Sequence, residues 1–212
     1  MTDPASPPCQ LYLISPPEIG PMFVGRLARA IAAGENGMQV AAFQFRVKGM
    51  DQHEAARLAE PLRDMCRERE VAFIVNDSIA LAKRLEADGV HLGQADGTVT
   101  EAREALGSQA QVGVTCHASR HLAMEAGEAG ADYVAFGAFF ESGTKKSEHR
   151  PDPEILEWWS GLFEIPCVAI GGIAPGNAAP LVQAGADFLA VSGAVWSGDE
   201  AEMVKAFAPL RE

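Results

Sequence analysis

Eight times along the chain a short apolar run is followed by a stretch with helical spacing, and this recurrence limits the fold more than any other feature of the sequence. The runs occupy residues 10–15, 39–45, 71–75, 89–92, 112–115, 132–136, 166–170 and 187–191. Most are continuously apolar instead of alternating, as strands of a parallel sheet covered on both faces must be. Between them apolar residues return every three or four positions: Leu27 and Ile31; Ala55, Leu58, Leu62 and Met65; Ile79, Leu81, Ala82 and Leu85. Helical patterns are also read at Leu122, Met124 and Ala126, at Leu181, Val182 and Ala184, and at Met203, Val204 and Phe207. Helical crossovers between parallel strands are right-handed, and eight of them close into a (β/α)8 TIM barrel of the α/β class, for which 212 residues is near the minimum. An open doubly wound sheet is the alternative, and it needs a reversal of strand order that the spacing does not show.

Local punctuation agrees with the barrel. Ala87-Asp88-Gly89, Ala129-Gly130-Ala131-Asp132 and Ala184-Gly185-Ala186-Asp187 each end a helix and open a strand, with glycine expected in the left-handed C-cap. Residues 1–8 read as a flexible N-terminal arm and residues 9–212 as one barrel domain, since no Pro- or Ser-rich linker divides them.

The formal charge of −12 argues against generic binding to nucleic acid or to an anionic membrane, so any cations that grip a phosphate must be local and placed. No apolar run approaches the roughly 20 residues that span a bilayer, and residues 1–9 lack the basic and apolar regions of a signal peptide. A cytoplasmic protein is expected, with small-molecule partners; homo-oligomerisation stays open. Cys9, Cys66, Cys116 and Cys167 have no C-x-x-C spacing, and Cys66 and Cys167 are expected as reduced core thiols.

In a barrel, chemistry gathers at the carboxyl ends of the strands. Three polar clusters lie there: Gln44-Phe45-Arg46-Val47-Lys48, Asn76-Asp77 and Gly93-Gln94-Ala95-Asp96. Strand periodicity predicts that Gln44, Arg46 and Lys48 project together while Phe45 and Val47 face away. Cations, carboxylates and amides in one place suit an Mg2+-bound diphosphate. The plain alternative for the first cluster is a solvated strand end. Further along, Thr115-Cys116-His117 follows the fifth strand, and Ser142-Gly143-Thr144-Lys145-Lys146 lies after the sixth. Gly171-Gly172-Ile173 follows the seventh strand and Ser192-Gly193-Ala194 the eighth, and their backbone N–H groups are candidates for a phosphate cradle. His91, with its apolar flank, reads as structural. Of Trp158 and Trp159, one should pack on the barrel and the other stay partly exposed.

With these motifs the chain resembles the thiamine phosphate synthase family over residues 11–208. The resemblance rests on Q-x-R-x-K at 44–48, V-N-D at 75–77, D-G-V-H-L-G-Q-x-D at 88–96, G-V-[ST]-x-H at 113–117, T-K-K at 144–146 and A-I-G-G-I at 169–173. It implies a transferase that joins hydroxymethylpyrimidine diphosphate to hydroxyethylthiazole phosphate, releasing pyrophosphate by a dissociative mechanism. By motif, Gln44, Arg46 and Lys48 would hold the diphosphate with Asn76 beside it, Asp77 and Asp96 would bind Mg2+, and Lys145 would meet the departing pyrophosphate. The hydroxyls of Thr115, Ser142 and Thr144 and the Gly172, Ser192 and Gly193 loops would complete the substrate contacts. The loop at 137–146 departs from the family pattern, lacking two prolines and carrying Ser142 in place of a threonine. A related barrel, the thiazole tautomerase, uses a histidine after the fifth strand, where His117 stands, but lacks the metal-binding aspartates; Asp77 and Asp96 discriminate. As a wall of the pocket, His117 needs no catalytic role. A non-catalytic phosphate-ligand relative is the third reading, and turnover of purified substrates separates it.

Overall fold

A computed structural model describes residues 8–35, 37–141 and 149–211. The elements alternate as β1 (Gln10–Ile14), α1 (Phe23–Gly34), β2 (Val40–Phe45), α2 (Gln52–Glu68), β3 (Ala72–Asn76), α3 (Ile79–Leu85), β4 (Gly89–Leu92) and α4 (Val99–Leu106). The second half runs β5 (Gln111–His117), α5 (Arg120–Glu128), β6 (Tyr133–Gly137), α6 (Glu154–Ser160), β7 (Cys167–Ile170), α7 (Ala179–Gln183), β8 (Phe188–Val191), α8 (Gly193–Trp196) and α9 (Glu200–Lys205). The strands pair in chain order, all parallel, and β8 returns to β1 with Leu11 opposite Leu189, closing the barrel.

Alternation along each strand divides the core in two. Leu11, Leu13, Phe43, Phe45 and Phe73 point outward into the layer between sheet and helices. Tyr12, Ile14, Ala42, Ile74, Tyr133, Ala135, Val168 and Ala190 fill the lumen. Trp159 is fully buried under α6 and Trp158 only partly, the division expected of the pair. On α5 the buried positions are Ala123 and Ala126, whereas Met124, expected on the apolar stripe, is exposed, because the stripe runs one residue out of phase with it.

The strand-opening aspartates have a role that glycine punctuation alone does not suggest. Asp88 accepts the Phe73 N–H at 2.7 Å, Asp132 the Val112 N–H at 2.6 Å and Asp187 the Cys167 N–H at 2.8 Å. In each pair the aspartate's own N–H donates back to the same residue's carbonyl. Gly130 and Gly185 adopt the left-handed turn as expected, but before β4 that conformation falls on Glu86 (φ 48°). Gly89 is required instead by close approach, since a β-carbon there would strike the Gln111 backbone.

The seam between the first and last units is held by charge. Glu200, buried at the start of α9, accepts from Arg26 Nε at 2.8 Å and Arg29 Nε at 2.7 Å. Burial alone would raise its pKa, but these two arginines hold it below the usual glutamate value. Arg26 also donates to the Trp196 carbonyl at 2.8 Å, and the Trp196 indole donates to the Ile14 carbonyl at 2.6 Å.

Candidate active site

At the carboxyl end of β2 the chain is pinned before the cations begin. Ser15, buried at the end of β1, accepts the Arg46 N–H at 2.8 Å and donates its hydroxyl to the Arg46 carbonyl at 3.0 Å. Gln44 turns into the lumen, while Phe45 stacks against Phe73 on the outer side with ring centroids 6.2 Å apart. β2 stops at Phe45, so the predicted common face of Gln44, Arg46 and Lys48 owes only its first step to strand pleating. Half-buried Arg46 and exposed Lys48 nonetheless lie on the same side as Asp77, since the positive charge of both acts on it.

Asp77 follows β3 directly and adopts a left-handed backbone, φ 64°, with its N–H donated to the His91 carbonyl at 2.8 Å. A β-carbon residue adopts that conformation only where the surroundings hold it there, and such positions gather at functional sites. The turn brings its carboxyl to that of Asp96, which is itself held by the Gly93 N–H at 3.1 Å. Burial, then the Asp96 charge and a hydrogen bond with that carboxyl, push the Asp77 pKa above the ordinary aspartate value; Lys48 and Arg46 offset part of the rise. Two carboxylates thus meet as an acid pair beside two cations at the ends of β2, β3 and β4.

Asn76 ends β3 next to this pair. Thr115 lies on β5 with its carbonyl accepting from Gln94 Nε2 at 2.7 Å and its hydroxyl 2.8 Å from His91 Nε2. His117, also left-handed at φ 54°, places its ring 4.6 Å from that of His149.

Residues 11–195 match the description thiamine monophosphate synthase. The chain belongs to that family. It is 70% identical to the thiamine-phosphate synthase of Erythrobacter litoralis over 203 residues, covering 95% of this chain and 94% of the relative. Identity to the thiamine-phosphate synthase of Rhodospirillum centenum is 55%, covering 89% and 90%. Among solved structures, a thiamine phosphate pyrophosphorylase from Pyrococcus furiosus superposes with TM-score 0.81 at 30% identity, covering 95% of this chain and 94% of that one. As a member of the thiamine monophosphate synthase family the chain is a transferase of thiamine biosynthesis.

The glycine loops of this synthase fold do more than expose N–H groups. Gly171 (φ 105°) and Gly172 (φ 64°) lie against the segment after β6: a β-carbon on the first would meet Ala138, and on the second the backbone of Phe140 and Glu141. Phe140 N donates to the Gly171 carbonyl at 2.9 Å. The base of the loop that carries Ser142, Thr144 and Lys145 is thereby sewn to β7, while those three residues lie outside the described ones. After β8, Gly193 has open space on its side-chain face, and the Ser192 hydroxyl donates to the Ser15 carbonyl at 3.3 Å.

Sequence reading missed two groups. Ser15 carries no motif, and its part in holding Arg46 depends on β1 and β2 pairing in register. The chain's two tyrosines, Tyr12 and Tyr133, are buried in the lumen and joined to Gln44 and His91. Their place inside otherwise apolar strand runs was the available signal. His91 is buried, and desolvation lowers its pKa to about 4, consistent with the structural role expected for it. A cavity of about 790 Å³ opens at the opposite end of the barrel, lined by Arg67, Lys83, Glu86 and Asp88, and holds none of the residues of the acid pair.

The donor set at the acid pair fits a divalent cation. No group of three or more His, Cys, Asp or Glu side chains gathers among the described residues. Mg2+ characteristically takes one or two carboxylates together with substrate phosphates and waters, so a pair is the appropriate number.

Proposed function

We propose that the chain joins hydroxymethylpyrimidine diphosphate to hydroxyethylthiazole phosphate, releasing pyrophosphate, with Asp77 and Asp96 holding an Mg2+ ion and Arg46, Lys48, Gln44 and Asn76 holding the diphosphate. The observation that carries this reading is the convergence of Asp77 and Asp96 beside Arg46 and Lys48. When bound there, Mg2+ supplies positive charge to the diphosphate oxygens. Arg46 offers a planar, two-pronged donor to a phosphate, and Lys48 a point charge.

Breaking the carbon–oxygen bond leaves negative charge on the departing diphosphate, so cations already in place favour the departure over the bound ground state. The pyrimidine carbon becomes cationic as the bond breaks, and the thiazole nitrogen captures it; no protein nucleophile is needed. Lys145 meets the departing pyrophosphate, and Thr115, Ser142, Thr144 and the Gly172, Ser192 and Gly193 loops receive the remaining polar groups of the substrates. Residues 9–212 act as one catalytic domain. No helix among the described residues is long and apolar enough to cross a membrane, and all four cysteines are free, which supports work in a reducing cytoplasm.

The deciding experiment is a coupled assay of pyrophosphate release from both substrates, with and without Mg2+. Release that requires Mg2+ and both substrates supports the reading. Isomerisation of the thiazole with no pyrophosphate released replaces it with the tautomerase.

A further inference from the structure

Four hydrogen-bond contacts run unbroken through the lumen. Gln44 Nε2 donates to the Tyr12 hydroxyl at 3.0 Å; the Tyr12 and Tyr133 hydroxyls are 2.8 Å apart. The Tyr133 hydroxyl is 3.1 Å from His91 Nδ1, and His91 Nε2 is 2.8 Å from Thr115 Oγ1. The chain therefore links β2, β1, β6, β4 and β5, and both of its ends belong to the proposed substrate site.

The three interior members each own one hydrogen. Burial raises both phenols far above neutrality, so each keeps its proton. The His91 imidazole lies between the Tyr133 and Thr115 hydroxyls, and with a proton on one nitrogen it accepts from one and donates to the other. A group with one hydrogen and two neighbours must donate to one and accept from the other, or leave a buried polar atom unpaired. A buried hydrogen left without an acceptor costs the full desolvation of its group. Direction set at one end must then pass to the other. Since Gln44 donates, Tyr12 donates to Tyr133, Tyr133 to His91 Nδ1, and His91 Nε2–H to Thr115.

We infer that Tyr12, Tyr133 and His91 are positioning residues: a one-directional relay that fixes the Gln44 amide, with one hydrogen spent on Tyr12 and the second left for the diphosphate, and that turns the Thr115 hydroxyl hydrogen to the substrates. The inference rests on the reading that Gln44 and Thr115 face substrate. The surroundings keep the relay stiff. The tyrosine rings meet edge to face at 5.9 Å, His91 stacks on Tyr133 at 5.6 Å, and Gly113 leaves the space that the Tyr133 ring fills. Reversal of any one bond reverses all four, after which Gln44 would accept from Tyr12 through its amide oxygen and Thr115 would offer the substrates only lone pairs. The Thr115 end is thus set for a substrate acceptor, and its setting depends on the amide orientation at Gln44.

The test reads the His91 tautomer by 15N NMR of the histidine-labelled, ligand-free chain. Wild type should show Nε2 protonated and Nδ1 bare. Gln44→Glu, recorded where the 13C shift of its carboxyl reports ionisation, can only accept from Tyr12, so the two nitrogens should exchange roles. In a Tyr133→Phe background the relay is cut, and adding Gln44→Glu should leave the His91 spectrum unchanged. A wild-type ring protonated at Nδ1, an unchanged tautomer in Gln44→Glu, or a change that survives Tyr133→Phe overturns the inference. Should Gln44→Glu not fold, the wild-type tautomer alone tests the direction. No turnover is needed, so loss of the proposed activity and loss of the relay are separately visible.

Discussion

Asp77 combines a left-handed backbone with a neighbouring like charge, two costs that the proposed metal role would explain and the packing of the barrel does not. Asp77→Asn removes the like charge, so its melting temperature without metal should equal or exceed that of wild type. Pyrophosphate release should meanwhile fall by two or more orders of magnitude, the scale of a lost charge-stabilising group of about 3 kcal/mol. The same measurement on Asp96→Asn should show a loss of that size, and near-normal turnover in either would remove the metal assignment. The sign of the pH dependence follows from the raised pKa. A group whose folded pKa lies above its unfolded one favours the folded state at low pH, and that contribution is lost as pH rises through the folded value. The melting temperature of metal-free wild type should therefore fall relative to Asp77→Asn as pH rises above the ordinary aspartate range, and Mg2+ with pyrophosphate should close the gap. Arg46→Ala should weaken the pyrimidine diphosphate strongly and the thiazole phosphate little, and Arg46→Lys should still weaken it because the fork is lost; equal weakening of both substrates in binding assays speaks against the diphosphate role. These residues were legible because polar side chains at the ends of apolar runs have no packing reason to be there. Tyr12 and Tyr133 were not, because a strand's phase decides which residues enter the lumen and a short apolar run does not reveal its phase.

Among elements, the strands were legible to within two residues at each end, since continuous apolar runs flanked by helical spacing have few other solutions. Helix faces were less legible, as Met124 shows: with small residues such as Ala123 and Ala126 on the buried side, hydrophobicity alone points at the wrong neighbour. The seam was not legible at all, because the glutamate that joins α1 to α9 pairs with arginines more than 170 residues away in the chain. Leaving that buried carboxylate short of a partner should be costly. Arg26→Ala should destabilise the chain by about 3 kcal/mol, the order seen when one member of a buried ion pair is removed. For a chain of this size that lowers the melting temperature by roughly 6–12 °C. Thermal unfolding by circular dichroism measures it, and turnover at low temperature should change little, because Arg26 lies behind the barrel wall and not at the acid pair.

Over the whole molecule, a net charge of −12 makes the cationic patch at Arg46 and Lys48 a local exception, and the barrel's topology is what gathers it. Lys145, on the loop whose base is sewn to β7, should act on the bond-breaking step. Lys145→Ala should lower kcat more than it raises KM, while His117→Ala does comparatively less harm; steady-state pyrophosphate release separates the two. The four thiols show another consequence of the packing. Each is buried, and burial pushes each pKa up to about 12, so at neutral pH almost no thiolate exists to react. The folded chain should therefore be slow toward maleimides and disulfide reagents, and a cysteine introduced at exposed Met22, beside the mouth of the barrel, should serve as an attachment point for a fluorophore without any native cysteine being replaced.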